Sequence, residues 1–342
     1  MNIRLRASTA LAIAAVLAGS AAGCGSSRSG AGTGTRSGAS GGGGSTAAAR
    51  QRAPSRPRHL LVKAWNHHLP SPVSGEAVLA QGNDLLLVGG LDASDVSIAT
   101  VEKIDPTTGA ARPDGELSEP LHDIAATAVP GGVLAFGGGS ATTTAEVQRL
   151  VPGGAGEPVG RLPVPRSDLS AVTVGGAAYV LGGYDGEGPV GAILRTSDGS
   201  KLETVTNLPV PVRYAAVASA GPVVYAIGGE ESSGADTTAI QAFDTRTGRA
   251  KVVGHLAAPL AHASAVVLGG SIYVLGGRLD GSTSDQIVGL DPTKNTIKPV
   301  GRLPWPVQNA AATVVGGTGY LVGGLTPEET ALASVVTLRL VR

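Results

Sequence analysis

From about residue 60 onward, short runs of apolar and β-branched residues alternate with turns that are rich in glycine, proline and aspartate. Residues 169–174 (Leu-Ser-Ala-Val-Thr-Val) are followed by Gly-Gly, and residues 178–181 then lead to a second Gly-Gly pair. This pattern predicts a two-stranded hairpin. A third predicted strand follows and often ends in an aspartate turn, and a fourth, such as residues 250–253, precedes the next unit.

The predicted four-strand unit recurs six times, because a proline is followed 17 residues later by Gly-Gly in each unit and preceded three residues earlier by leucine. The prolines are Pro72, Pro120, Pro165, Pro211, Pro259 and Pro306. The position five residues after each proline is always Ala or Ser, which suits inner strands that converge on an axis. Units of 45 to 48 residues with four strands predict an all-β fold, a six-bladed β-propeller of four-stranded blades.

A tyrosine stands three residues before the Gly-Gly pair in four units (Tyr179, Tyr225, Tyr273, Tyr320), and leucine takes its place in the other two. With the Gly-Gly strand end and the Leu-x-x-Pro segment, this resembles the kelch-repeat family over residues 60–340. The resemblance implies a propeller, with the repeated tyrosines in the core. Kelch repeats usually carry a tryptophan on the fourth strand, and here only Trp65 suits that place.

The two ends of the repeat region complement each other. Residues 60–65 read as a fourth strand without its unit, whereas the last unit stops after a third strand at residues 335–340. We expect the N-terminal strand to close the sixth blade, which removes an exposed sheet edge.

The first 58 residues have a different composition. Arg4 and Arg6 precede a short apolar run at residues 11–18, which predicts a signal peptide at residues 1–23. Cys24 follows Ala-Ala-Gly and resembles the lipidated cysteine of bacterial lipoproteins; the alternative is ordinary signal cleavage that leaves a free thiol. Residues 24–58 then form a Gly/Ser/Arg-rich tether, and residues 59–342 the propeller. The expected location is outside the cell, lipid-anchored to the outer face of the membrane or periplasmic.

Charge divides in the same way. All 26 acidic residues lie from Glu76 onward and eight of the 26 basic residues precede residue 59, so residues 59–342 carry a formal net charge of −8. An acidic domain argues against nucleic acid as a partner. The arginines of the tether either contact anionic lipid headgroups or keep the linker soluble.

Candidate ligand-binding residues lie where the inner strands begin and in the loops after Gly-Gly, which the alternating strand directions place on one face. They are His122, Asp123, Arg166, Asp168, Tyr184, Arg213, Tyr214, Glu230, His262, Arg278 and Asn309. Such polar, aromatic and charged groups suit a polar ligand, a glycan or a peptide or protein, bound by a monomer. The alternative is that they are solvated loop residues.

Enzymatic signatures are weak. The sole cysteine belongs to the export signal, and no histidine spacing predicts a metal site, so neither metal nor cofactor is expected. Binding is therefore preferred over catalysis. The alternative function is a sugar mutarotase that resembles the bacterial sialic acid mutarotases, which are also exported kelch propellers, with Asp168, Arg213, Glu230 or His262 as proton carriers. A purely structural or interaction role is the third hypothesis.

Overall fold

A computed structural model describes residues 59–294 and 296–342. The predicted signal peptide, Cys24 and the tether lie outside the described residues. No described segment forms a helix with the length and apolar character needed to cross a membrane.

The described residues form six four-stranded antiparallel sheets and one small sheet. Strand β1 is His59–Ala64. The first sheet contains β2 (Ala77–Gln81), β3 (Asp84–Val88), β4 (Thr100–Ile104) and β5 (Ala111–Glu116), and the second contains β6 (Ala125–Val129), β7 (Gly132–Phe136), β8 (Glu146–Leu150) and β9 (Glu157–Arg161). The third contains β10 (Ser167–Val174), β11 (Ala177–Tyr184), β12 (Ala192–Thr196) and β13 (Glu203–Asn207), and the fourth contains β14 (Ala216–Ala220), β15 (Val223–Ile227), β16 (Ala239–Asp244) and β17 (Arg249–His255).

In the fifth unit, β18 (Leu260–Ala261), β21 (Arg278–Leu279) and β22 (Ser282–Thr283) form the small sheet. The fifth four-stranded sheet contains β19 (Ser264–Leu268), β20 (Ser271–Leu275), β23 (Gln286–Asp291) and β24 (Thr296–Arg302). The sixth contains β25 (Ala311–Val315), β26 (Thr318–Val322) and β27 (Val335–Val341), joined by β1. The all-β prediction is confirmed.

The N-terminal strand completes the last sheet, as predicted. β1 pairs antiparallel with β27, from His59 opposite Val341 to Ala64 opposite Val336. Leu60 and Val62 of β1 pack against the buried core shared by the fifth and sixth sheets. The two ends of the described domain are therefore held in one sheet.

The Gly-Gly pairs join each unit to the next. All twelve glycines have positive φ, and the second N–H of each pair donates to a backbone carbonyl of the following unit. These bonds run from Gly90 to Leu121, Gly138 to Arg166, Gly183 to Val212, Gly229 to Leu260, Gly277 to Val307 and Gly324 to Val73, over 2.8 to 3.0 Å. The last bond returns to the first unit, so the six units form a closed cycle. The predicted need for positive φ and close approach is confirmed.

The repeated leucine and tyrosine positions build the core between the sheets. The six leucines before the prolines are all buried, and so are Tyr179, Tyr225 and Tyr320, whereas Tyr273 is half-buried against the same core. Trp65 is partly buried and donates its indole N–H to the carbonyl of Pro106 at 3.1 Å. Burial of these apolar side chains supplies the main stabilising free energy of the fold.

Candidate functional site

One backbone position is in the left-handed region in every unit. It is the residue three after the proline, and its φ values are 62° at Gly75, 48° at Asp123, 58° at Asp168, 53° at Tyr214, 57° at His262 and 52° at Asn309. Such φ values are uncommon outside glycine, and Asp, Asn and His adopt them more readily than other residues do. Tyr214 is therefore the most strained member of this set.

A second cycle of hydrogen bonds holds these six residues in place. The N–H of each donates to the carbonyl of its counterpart in the preceding unit, over 2.7 to 3.2 Å. The series runs from Asp123 to Gly75, Asp168 to Asp123, Tyr214 to Asp168, His262 to Tyr214, Asn309 to His262 and Gly75 to Asn309. We call these six residues the polar ring. Because neighbouring units fix its backbone, the ring can maintain strained conformations that place side chains around one opening.

The polar ring lines a cavity of about 180 Å³. Most of the remaining wall is small, and includes Ala77, Ala125, Ser170, Ser264 and Ala311 from the position predicted to converge on the axis. A second cavity of about 430 Å³ is lined by later residues of the same inner strands and is largely apolar. The residues six after the prolines line both cavities. The inner strands thus surround a channel with one polar and one apolar half.

Three carboxyl groups line the polar cavity. Glu76 is only 6% exposed; burial raises its pKa to about 8, against weak opposition from backbone hydrogen bonds. Burial also raises the pKa of Asp123, and the nearby negative charges of Asp168 and Glu76 raise it further. Burial raises the pKa of Asp168, although Arg213 opposes the shift. The three groups therefore hold protons at pH values where exposed carboxyls have lost them.

Two aromatic side chains of the ring are stacked together. The rings of Tyr214 and His262 lie 3.9 Å apart between centroids, at 26°. His262 Nδ1 lies 2.6 Å from the side-chain oxygen of Asn309. An amide oxygen can only accept, so Nδ1 carries the proton and Nε2 is left as an acceptor. Nε2 is buried without a hydrogen-bond partner, and burial lowers the pKa of this imidazole.

A network of ion pairs lies beside the cavity, which we call the rim cluster: Arg213, Glu230, Asp236 and Arg278. Arg213 Nε donates to Glu230 Oε1 at 2.9 Å, and its Nη1 lies 3.5 Å from Asp168 Oδ2. Arg278 bonds both Glu230 and Asp236 at 2.9 Å. Burial opposes ionisation of Glu230, but its bonds to both arginines lower its pKa. The cluster is thus largely neutralised internally and ties the third, fourth and fifth units together.

The structure divides the predicted site residues into groups. Asp123, Asp168, Tyr214, His262 and Asn309 line the cavity together. Arg213, Glu230 and Arg278 belong to the rim cluster, and the guanidinium of Arg213 lies 4.8 Å from the ring centre of Tyr184. His122 contacts Ser97 through Nδ1 at 2.8 Å, and its Nε2 is 3.9 Å from Asp123.

Arg166 lies apart from both groups. It is 1% exposed and donates to the carbonyls of Gly182 at 3.2 Å and Ala192 at 2.9 Å. Burial lowers its pKa to about 10. The counterparts of Arg166 in the other units are Val or Leu, which explains its buried position. This residue therefore holds backbone within the fold and is not among the residues that line the cavity.

Sequence reasoning missed two residues of the site, Glu76 and Asp236. Glu76 stands four after its proline, where the other units have Ile124, Leu169, Ala215, Ala263 and Ala310, so an acid in an apolar row was the available signal. Asp236 lies in the same loop as Glu230 and serves Arg278 of the next unit. No pattern in the sequence pairs these two residues.

Comparisons with known proteins agree with this geometry. Residues 259–304 match a family model described as Kelch motif. A solved structure described as "Structure of YjhT" is similar at a TM-score of 0.70 with 15% sequence identity, over 80% of this chain and 99% of that chain. The chain is a kelch-repeat β-propeller. No curated protein matches it. In the described part of this kelch propeller, no group of three or more His, Cys, Asp or Glu side chains is arranged to hold a metal ion.

Proposed function

We propose that the chain is a six-bladed propeller, with one blade in each four-stranded sheet, that binds a polar ligand in the cavity lined by the polar ring. The class of ligand is a glycan or a peptide. We also propose that lipid on Cys24 tethers the propeller outside the cytoplasmic membrane. Kelch propellers suit such a role because the repeated framework leaves the residues at the channel mouth free to vary.

The convergence of five polar side chains on one cavity carries the proposal. Five non-glycine residues occupy left-handed backbone positions, and each such position costs about 1–3 kcal/mol. Strain of this kind clusters at sites of recognition, where it orients groups before the ligand arrives. The small wall residues leave space for a ligand between these groups.

Thermal-shift screening of the full-length protein against sugars, amino sugars and short peptides tests the proposal. Each hit is then titrated by calorimetry against Tyr214→Phe and against Tyr225→Phe, which removes the same hydroxyl from the core. We expect Tyr214→Phe to weaken binding about tenfold and Tyr225→Phe to leave the affinity unchanged. Hits that bind both variants as tightly as wild type would move the site away from the cavity.

A mutarotase-like activity is the second candidate. Ring opening of a sugar needs one group that donates a proton and one that accepts it. The cavity offers protonated carboxyls at Asp123 and Asp168 and an acceptor at His262 Nε2. NMR exchange between the α and β anomers of a bound sugar tests this activity. Acceleration that disappears in Asp168→Asn supports it, and an unchanged exchange rate with saturating protein rejects it.

A further inference from the structure

The unsatisfied groups of the cavity are acceptors. Glu76 Oε2 and His262 Nε2 are both buried and lack a hydrogen-bond partner. Both residues line the cavity, together with the carboxyl groups of Asp123 and Asp168. Leaving a buried polar atom without a partner costs about 1–3 kcal/mol. A ligand rich in hydrogen-bond donors would supply what these atoms lack.

The cavity also lacks positive charge. No lysine or arginine is among its lining residues. Asp168 has one cation nearby, Arg213, at 3.5 Å, and Asp123 has His122 at 3.9 Å, an imidazole whose pKa is lowered by burial. Within residues 59–294 and 296–342, Glu76 forms no ion pair, although it is 6% exposed. A buried carboxylate without a counter-ion is costly, so the empty site keeps Glu76 uncharged.

We propose that the ligand of this cavity carries a protonated primary amine, whose ammonium group pairs with the carboxylates of Glu76, Asp123 and Asp168. This inference rests on the proposed function and names its ligand class. An ammonium group has three donors and no acceptor, which matches the free acceptors of the cavity. The alanine and serine wall accommodates the carbon atoms next to the amine. Amino sugars and peptide amines share this group.

Binding then couples to proton release. When the ammonium group enters, Glu76 gives its proton to the solvent and becomes the charged partner of the amine. The groups around Glu76 are Asp123, Asp168, Tyr214 and His262 in the cavity, with Arg213 beside Asp168. Only Arg213 opposes a cation, and Glu230 already pairs with it. Affinity for an amine should therefore rise between pH 6 and pH 8.5, the range that brackets the pKa of Glu76 at about 8.

Calorimetry of the full-length protein with matched probes tests the amine. Propylammonium is compared with propanol, glucosamine with glucose, and glycylglycine amide with its N-acetyl form. Propylammonium keeps its charge over the whole pH range, since alkylamines resemble lysine, with a pKa of about 10.4. We expect each amine to bind at least about tenfold more tightly than its neutral partner. The sugar and peptide pairs show which source of amine the site prefers.

Two variants connect the effect to the cavity. Glu76→Gln should weaken propylammonium binding about tenfold and remove most of its pH dependence. Glu102→Gln is the matched control, because Glu102 is also a partly buried carboxyl with a raised pKa but lies on β4 and is not a cavity residue. If Glu76→Gln folds poorly, Asp123→Asn is read in the same way.

The outcomes separate this inference from the proposed function. Neutral sugars or acetylated peptides that bind in the cavity as tightly as the amines would overturn the amine and leave the proposed function standing. Failure of every probe to bind would overturn both. Amine binding that is equally strong in Glu76→Gln and Asp123→Asn places the amine elsewhere and also rejects the inference.

Discussion

Glu76 occupies a position that five other units give to Ile, Leu or Ala. The backbone there serves the inner strand in every unit, so the side chain alone distinguishes the first unit. Burial makes Glu76 an uncharged acid in the empty protein. The same logic applies to Asp123 and Asp168, so the stability of the propeller and the state of its cavity depend on pH together.

Glu76 should make wild-type stability fall between about pH 4.5 and about pH 8. Below that range Glu76 is protonated both folded and unfolded. As pH rises, the unfolded chain ionises first, and the folded state loses up to about 1.4 kcal/mol per pH unit until the folded pKa is passed. Glu76→Gln should therefore have a flatter profile of unfolding free energy against pH. Denaturant unfolding of this variant and of the exposed control Glu157→Gln measures it; parallel profiles for wild type and Glu76→Gln would contradict the account.

At the scale of strands and turns, most of the fold is predictable. Hydrophobic runs, the Gly-Gly pairs and the Leu-x-x-Pro segments predict the hairpins, and the incomplete last unit predicts the pairing of β1 with β27. The polar ring could not be predicted, because the left-handed conformation of Tyr214 or Asp168 is imposed by hydrogen bonds between units and leaves no local trace in residue type. Glu76 and the Asp236–Arg278 pair depend on contacts between units in the same way.

Gly137 tests the junction between units. It has a φ of 57°, and an added Cβ would lie 2.2 Å from the carbonyl oxygen of Arg166 in the next unit. Gly137→Ala should cost about 3 kcal/mol or more, since the backbone has to move. Gly82 is the control, because it has a φ of 64° but nothing within 4 Å of an added Cβ. Gly82→Ala should cost only about 1 kcal/mol of conformational strain. Equal losses in urea unfolding would show that close approach is unimportant.

Removal of β1 tests closure of the sixth sheet. Deleting residues 59–64 exposes the edge of β27 and removes the packing of Leu60 and Val62. We expect the Tm to fall by about 10 °C, the effect of a few kcal/mol in a domain of this size. Deleting residues 30–50 of the glycine-rich tether should leave the Tm unchanged. Scanning calorimetry compares the two deletions, and similar melting temperatures would argue against a stabilising role for β1.

At the scale of the whole molecule, charge and covalent chemistry separate the tether from the propeller. The basic N-terminal segment and the acidic domain sum to a formal charge of zero. A basic segment next to a lipid anchor suits a surface of anionic headgroups, which would repel the acidic domain and leave its cavity facing solvent.

Cys24→Ala tests the anchor. We expect wild type to fractionate with membranes and to carry lipid mass on its N-terminal residue, and the variant to be released in soluble form. Intact-mass measurement of both proteins, with cell fractionation, reads this out. Wild type without added lipid mass, released as fully as Cys24→Ala, would show that Cys24 is not an anchor.

NMR of the histidine rings tests the central claim most directly, that the polar ring forms the ligand site. The chain has 6 histidines, and only His262 lines the cavity. The full-length protein, labelled at histidine, is titrated with the compound that gives the largest thermal shift, and His262→Gln assigns the signal. The account predicts that the His262 ring resonance moves to saturation while that of the exposed His255 stays in place. A saturating ligand that shifts His255 or His59 and leaves His262 unchanged would contradict it.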